Sequence, residues 1–152
     1  MKINDTLRLL VPLMQKPYFT SREARELGVS AALLCYYVKI GKLRRISRGV
    51  YQSSEFRGSV SFQWEDLIEA VYSTSEGVIC LISALDIYGL TEEMPRQHWI
   101  AVSHATAAKG DSHVKVVRFR NMVLGKTEID LEGALVPIFD RERCIIDAFR
   151  LL

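Results

Sequence analysis

The spacing of apolar residues predicts three helices in the first third of the chain. Four residues of the first helix follow the i, i+3, i+4, i+7 spacing of a single buried side: Leu7, Leu10, Val11 and Met14. We expect Asp5 to cap this helix and Pro12 to kink it. The second helix, SREAREL, begins after a cap at Thr20 or Ser21 and closes at Gly28, a residue type that the left-handed position after a helix prefers.

The third predicted helix, AALLCYYVKI, has two chemically different sides. Ser30 is its expected N-cap and Gly41 stops it, so its connection to the second helix is as short as in a helix-turn-helix. Three residues share the side that we expect to pack on the preceding helices: Leu34, Tyr37 and Val38. The opposite side, which a recognition helix turns to the major groove of DNA, carries Ala32, Tyr36 and Lys39. A buried helix with one exposed Tyr and one exposed Lys would give the same pattern.

A basic hairpin is predicted directly after the third helix. Leu43 and Ile46, and then Val50, have the spacing of two short strands around a turn at Arg48–Gly49. Four basic residues lie along it: Lys42, Arg44, Arg45 and Arg48. Arginine makes paired hydrogen bonds to phosphate and suits a narrow minor groove. Two helices in a helix-turn-helix followed by a basic hairpin predict a winged helix-turn-helix over residues 1–53.

Two further helices are predicted early in the remainder of the chain. Ser61 is the expected cap of a helix whose apolar residues recur at helical spacing: Trp64, Leu67, Ile68 and Val71. Residues 77–90 are apolar on almost every side, which predicts one central buried helix. The stretch Ser53–Ser59 has the composition of a linker, so these helices would open a second domain over residues 60–152.

Strands complete this second predicted domain. Short runs of strand-forming residues cover 99–102, 114–119 and 135–139. A last helix over 141–152 has Asp140 as its cap and carries an apolar side: Ile145, Ile146 and Phe149. The predicted fold class is therefore α+β: a winged helix-turn-helix followed by a small domain in which helices pack on a short mixed sheet.

Charge divides the chain at the same place. Residues 1–52 contain ten Lys or Arg and three acids, a net charge of +7, whereas the remaining residues contain ten bases and fifteen acids, a net charge of −5. A basic segment joined to an acidic one suggests a polyanion-binding module attached to a part with another task. A solvated basic surface would carry the same charge.

Composition narrows the class of protein. The 152 residues are 49% hydrophobic and 25% charged, which is enough apolar material for a core. No apolar run approaches the length of a membrane-spanning helix, and Asp5 and Arg8 interrupt the N-terminal apolar stretch, so we expect a cytoplasmic protein without a membrane partner. The three cysteines lie far apart and predict neither a disulfide framework nor a zinc site.

Residues that could support catalysis lack a catalytic pattern, and we expect no enzyme, metal or cofactor. The three histidines, His98, His104 and His113, lack metal-ligand spacing. Alternating carboxylates could hold Mg²⁺ in a nuclease, but here we expect the solvated side of a strand: Glu128, Asp130 and Glu132. Arg118 and Arg120 point the same way on a predicted strand and either extend a nucleic-acid footprint, bind an acidic surface or face solvent.

Six sequence blocks resemble a known family. They are FTSREARELGVS and GKLRRISRGVY in the first part, and GVICLISALDIYGLTEEMP, HWIAV, VRFR and RERCIIDAFR in the second. In this order they resemble the AbiEi transcriptional regulator and antitoxin of AbiE-type abortive-infection toxin–antitoxin systems. Members of the family usually continue beyond the last block, and antitoxin activity is attributed to their C-terminal part.

The resemblance implies an autoregulating repressor. An N-terminal winged helix would bind operator DNA and repress the antitoxin–toxin operon, and the toxin would resemble a nucleotidyltransferase that needs no tight contact with its antitoxin. Together with the charge and the two sides of the third helix, the resemblance predicts that nine residues contact double-stranded promoter DNA: Arg22, Ser30, Ala32, Tyr36, Lys39, Lys42, Arg44, Arg45 and Arg48. The alternative is a protein-interaction module that neutralises a toxin by direct binding, which the acidic second part favours.

Overall fold

The chain folds into two units, which are built from helices and two β-sheets. The computed structural model describes residues 3–58 and 61–152 and has an α+β architecture. The first unit runs to Glu65 and includes Glu132–Ala134, and the second comprises Asp66–Leu131 and Leu135–Leu152. Ser59 and the predicted domain start at residue 60 lie outside the described residues. No helix of the described part is long and apolar enough to cross a membrane.

The first unit combines short helices with a three-stranded sheet. Its elements are α1 (Ile3–Leu9), α2 (Val11–Met14), β1 (Phe19–Thr20), α3 (Ser21–Glu26), α4 (Ala31–Lys39), β2 (Leu43–Ser47) and β3 (Val50–Ser53). The antiparallel sheet has the order β1-β3-β2. The hairpin was predicted, whereas the two-residue strand β1 was not.

The predicted first helix is broken in two. Pro12 lies in the first turn of α2, where its missing N–H would have no helical partner, so the expected kink is a helix boundary. The prediction for Asp5 was wrong, because it lies inside the first turn of α1 rather than at its cap. The break also turns Val11 outward, 46% exposed, and Leu13 takes its place beside Leu10 in the core.

Local signals at the ends of α3 and α4 are confirmed. Thr20 caps α3 in a reciprocal box: its Oγ1 accepts from the Glu23 N–H at 3.1 Å, and Glu23 Oε2 accepts from the Thr20 N–H at 3.0 Å. Gly28 follows α3 at φ +89°, a conformation that only glycine adopts without strain. Ser30 caps α4, with its Oγ accepting from the Leu33 N–H at 3.3 Å.

The core of the first unit lies between the helices and the sheet. Phe19 of β1 stacks on Tyr51 of β3 with ring centroids 6.0 Å apart. The buried members of this core come from six elements and the loops between them: Leu10, Leu13, Phe19, Ala24, Val29, Leu34, Tyr37, Leu43 and Tyr51. Ser53, predicted as the first linker residue, is instead the buried end of β3, opposite Leu43.

The remaining elements build a mixed five-stranded sheet with helices. They are α5 (Phe62–Ser73), β4 (Val78–Ile79), α6 (Leu81–Ile87), β5 (His98–Ser103), β6 (Val114–Phe119), β7 (Lys126–Leu131), β8 (Ala134–Phe139) and α7 (Arg141–Leu151). The strand order is β6-β5-β4-β8-β7. β5 runs antiparallel to β4 and parallel to β6, and β4 runs parallel to β8. The predicted apolar side of α5 is buried at Leu67, Ile68 and Val71.

The prediction of one helix over residues 77–90 was wrong. Val78 and Ile79 form the central strand β4, and the helix α6 begins only at Leu81. Both elements are buried, and an apolar run with no exposed side does not distinguish a short buried strand from a helix. The two elements are also tied to β5, because the Ser83 Oγ of α6 accepts from the Trp99 N–H at 2.8 Å.

Helix α7 packs through a side that its apolar residues do not occupy. Asp140 is its N-cap, as predicted, with Oδ1 accepting from the Arg143 N–H at 2.9 Å. The buried residues of the helix are Cys144 and Asp147. The predicted apolar side is exposed: Ile145, Ile146 and Phe149. Buried polar contacts, rather than helical amphipathicity, therefore orient α7.

Candidate nucleic-acid interface

The outer side of α4 is the centre of the candidate interface. Leu34 and Tyr37 are fully buried and fix the rotation of the helix. Three residues at i, i+4 and i+7 are consequently exposed on the other side: Ala32, Tyr36 and Lys39. The predicted orientation of the helix is confirmed. Ser30 is exposed at the N-terminus of the same helix, where its hydroxyl already serves as the cap.

An aromatic pair supports the side chain of Tyr36. Its ring meets the ring of Tyr37 edge to face, with centroids 5.9 Å apart and planes inclined by 61°. Tyr37 has no exposed surface, whereas Tyr36 keeps 39% of its surface exposed. Because edge-to-face contacts favour a defined ring orientation, the buried ring of Tyr37 positions the exposed ring of Tyr36. Tyr36 is thus held ready to contact a ligand on the outer side of α4.

The β2–β3 hairpin carries its basic residues on more than one side. Arg44 and Arg45 are both exposed on β2, pairing with Gln52 and Tyr51 of β3. Successive strand residues project from opposite faces, so Arg44 and Arg45 point to opposite faces of the hairpin and would contact different parts of a ligand. Arg48 is exposed in the turn. The turn is possible because Gly49 adopts φ +75°.

Positive charge on this surface is largely uncompensated. Among the described residues, five exposed bases have no ion-pair partner: Lys39, Lys42, Arg44, Arg45 and Arg48. Lys16 is different, because its Nζ lies 3.1 Å from Glu23 Oε1. The five unpaired bases lie on α4, on the hairpin and between them, and a group of this kind favours a polyanionic ligand.

Helix α3 adds a basic residue that the sequence prediction omitted. Arg22 is exposed in its first turn, as required of a DNA contact. Arg25 is also exposed and lies three residues further on, so both arginines share one side of the helix. The i, i+3 spacing was visible in the sequence, and Arg25 also lies in the last turn of α3, where a base complements the helix dipole.

The histidines considered for catalysis lie on β5 and in the loop that follows it. In the part of the chain that the structure describes, no group of three or more potential ligands could hold a metal ion. His98 and His113 are joined through their backbones, with the His98 N–H donating to the His113 carbonyl at 2.7 Å. Burial lowers the pKa of His98, which favours its neutral form.

The charged strand residues of this unit lie at the two edges of its sheet. Glu128 and Asp130 are exposed on the edge strand β7, which agrees with the expected solvated side. Arg118 is exposed on the opposite edge strand β6, where its Nη2 donates to the Ala108 carbonyl at 2.6 Å. Arg118 therefore has a structural contact to the loop that precedes its own strand, and Arg120 is exposed just beyond that strand.

One family model matches a segment of the chain. Residues 13–54 match the family model described as transcriptional regulator, AbiEi antitoxin, which confirms the resemblance over this segment. The match runs from the last two residues of α2 to the residue after β3, and it contains all nine residues predicted to contact DNA. The four resembling blocks in the second part lie beyond it. A comparison with curated proteins found no match.

Proposed function

We propose that this protein is a cytoplasmic transcriptional repressor that binds its own promoter and serves as the antitoxin of an AbiE-like toxin–antitoxin pair. One observation carries the proposal: the unpaired basic surface of α4 and the β2–β3 hairpin lies within the segment that matches an antitoxin regulator family. In this proposal, α3 and α4 form the helix-turn-helix and the hairpin is the wing.

The recognition helix in this mechanism is α4. Its N-terminus, its small residue Ala32 and its exposed Tyr36 would enter the major groove, where base edges differ in their hydrogen-bonding pattern. A small side chain permits close approach of the backbone, and Tyr36 can contact a base edge or a thymine methyl group. Lys39, one turn further on, would reach the phosphate backbone. Sequence preference would then depend on Tyr36.

The hairpin supplies affinity rather than sequence preference. Arg45 and Arg48 would contact phosphates or a narrow minor groove, and the opposite projection of Arg44 would direct it to a neighbouring phosphate. Lys42 and Arg22 would flank the helix. Contacts of this kind position a protein on the duplex and depend strongly on salt. The proposal includes no chemical reaction, metal or cofactor.

Direct binding to the toxin is the second candidate function. The net charge of −5 on the second part of the chain favours it, because an acidic surface can oppose a basic nucleic-acid-modifying enzyme. In this case the antitoxin would co-purify with the toxin. The proposed repressor requires no such complex, so a pull-down with the toxin distinguishes the two.

A gel-shift titration tests the proposed function. The purified chain is titrated against its own upstream promoter and against a scrambled duplex of equal length, each at two salt concentrations. We expect tighter binding to the promoter, and binding to both duplexes that weakens with salt. Equal affinity for both duplexes, or no shift, would contradict a repressor.

A further inference from the structure

Helix α7 turns an apolar stripe to solvent. Four apolar residues of the stripe are exposed: Ile145 by 41%, Ile146 by 60%, Phe149 by 89% and Leu152 by 60%. Glu142, Ile145, Ile146 and Phe149 follow the i, i+3, i+4, i+7 spacing, so they lie along one side of the helix. This spacing ordinarily marks a side that packs against another element.

The helix cannot rotate to bury this stripe, because polar contacts hold its opposite side. Cys144 Sγ donates to the Phe139 carbonyl at 3.4 Å, and Arg143 Nε lies 3.2 Å from Asp147 Oδ2. The side chains of Arg143 and Asp147 are 10% and 5% exposed. Turning the stripe inward would break the Cys144 contact with the Phe139 carbonyl and the hydrogen bonds that Arg143 donates to the Asn121 and Leu124 carbonyls. The exposure of the stripe is therefore a stable feature of the fold.

The size of the stripe fits an interface with a small partner surface. Its apolar side chains expose on the order of 500 Å² together, which is the range of the functional patches found on monomers. Two such stripes packed together would bury about 1,000 Å², which lies in the range of weak, transient protein interfaces. An interface of this size gives a reversible complex rather than a permanent one.

Charges at the ends of the stripe make it complementary to itself. Glu142 lies four residues before Ile146, and Arg150 lies four residues after it. Among the described residues, neither Glu142 nor Arg150 has an ion-pair partner. Two α7 helices that pack antiparallel about Ile146 place Glu142 of each copy opposite Arg150 of the other, because both lie about 6 Å along the helix from the centre. The same contact forms twice, as two-fold symmetry requires.

We infer that a second copy of this chain docks on α7, and that the protein forms a reversible two-fold dimer through Ile145, Ile146 and Phe149. The inference concerns the second unit and is independent of DNA binding. Taken with the proposed function, on which this further step rests, the dimer predicts an operator with two half-sites related by two-fold symmetry.

Sedimentation equilibrium across the micromolar concentration range tests the dimer without DNA. We expect reversible association of the wild-type chain and an increase of about a hundredfold in the dissociation constant for Phe149→Glu, because two carboxylates would be buried in the dimer. Phe62→Glu is the matched control, since Phe62 is also helical and is 84% exposed. Circular dichroism verifies that each variant is folded. A monomeric wild-type chain, or equal association of the two variants, would overturn the inference.

Charge exchange tests the antiparallel arrangement. Glu142→Arg and Arg150→Glu alone each place like charges opposite one another, and we expect each to weaken the dimer by about tenfold. Mixing these two variants should produce a heterodimer that is tighter than either homodimer, because each of its contacts pairs opposite charges. Any effect of the substitutions on the helix ends is the same in homodimer and heterodimer. Failure of the mixture to form heterodimers would overturn the pairing about Ile146.

Discussion

The guanidinium carbon of Arg143 lies 3.9 Å from the centre of the Phe139 ring. From this position, Arg143 Nη1 donates to the Leu124 carbonyl and Nη2 to the Asn121 carbonyl, each at 2.5 Å. Its Nε contacts Asp147 at 3.2 Å. One side chain thus joins α7, the end of β8 and the loop before β7, and its cationic plane is stacked as well as hydrogen-bonded.

Replacing Arg143 by Met should destabilise the second unit by about 3–5 kcal/mol, because Asp147 would remain buried without a counter-charge. The double variant Arg143→Met/Asp147→Leu should lose less than the sum of the two single variants, since it leaves no buried charge. Urea unfolding followed by circular dichroism measures both. Additive losses would show that the two residues do not act as a pair.

The capping box at the start of α3 should contribute measurably to the first unit. Thr20→Ala removes the acceptor of the Glu23 N–H, and we expect a loss of about 1 kcal/mol in the free energy of unfolding. Thr20→Ser keeps the hydroxyl and should retain most of the stability. Urea unfolding of the three proteins provides the comparison, and equal stability of the Ala and Ser variants would show that the cap is dispensable.

Buried thiols should make the protein less stable at alkaline pH. Burial raises the pKa of the Cys144 thiol to about 12, and burial also raises the pKa of Cys80. An unfolded chain releases these protons near pH 9, whereas the folded chain retains them. The unfolded state therefore binds fewer protons, and the free energy of unfolding falls by about 1.4 kcal/mol per pH unit for each thiol as the pH rises above 9.

Cysteine variants separate this effect from the other groups that titrate in the same range. Unfolding of Cys144→Ala, measured between pH 8 and about pH 11, should depend less on pH than unfolding of the wild type. Cys35 is exposed, so Cys35→Ala should keep the wild-type dependence. The slope is the quantity to compare, because removing a buried side chain also lowers stability at neutral pH.

Signals carried by neighbouring residues were sufficient to predict several features of the first unit. The cap at Thr20, the glycine at position 28 and the turn at Gly49 depend on backbone conformations that a few adjacent residues determine. The rotation of α4 followed from the spacing of Leu34 and Tyr37. The strand β1 was missed because two residues carry no periodicity, and their pairing with β3 arises from tertiary contact.

Tertiary contacts decided the features of the second unit that the sequence did not show. Residues 77–90 divide into β4 and α6 because β4 pairs with β5 and β8 on its two sides, a choice that a uniformly apolar run leaves open. The sequence predicted that Ile145, Ile146 and Phe149 share one side of α7, and the structure exposes that side. Its orientation depends on the Arg143–Asp147 pair and on carbonyls more than fifteen residues away.

Two substitutions should separate affinity from sequence preference on the candidate interface. Arg45→Ala removes an exposed cation and should weaken binding to promoter and scrambled duplex equally. If about five basic side chains contact phosphates, the logarithm of the affinity should fall against the logarithm of salt with a slope of about −4 to −5, and Arg45→Ala should reduce its magnitude by about one. Fluorescence anisotropy at several salt concentrations measures both quantities.

Tyr36→Ala should instead reduce the preference for the promoter sequence, because the ring carries no charge and lies on the side of α4 assigned to the major groove. We expect the ratio of promoter to scrambled affinity to fall by about tenfold, with the salt slope unchanged. Arg96→Ala is the control for loss of one exposed cation in the second unit and should change neither quantity. If Arg45→Ala alters preference and Tyr36→Ala alters only the salt slope, the two surfaces have been assigned the wrong roles. Unchanged binding by both variants would place the DNA contact elsewhere on the chain.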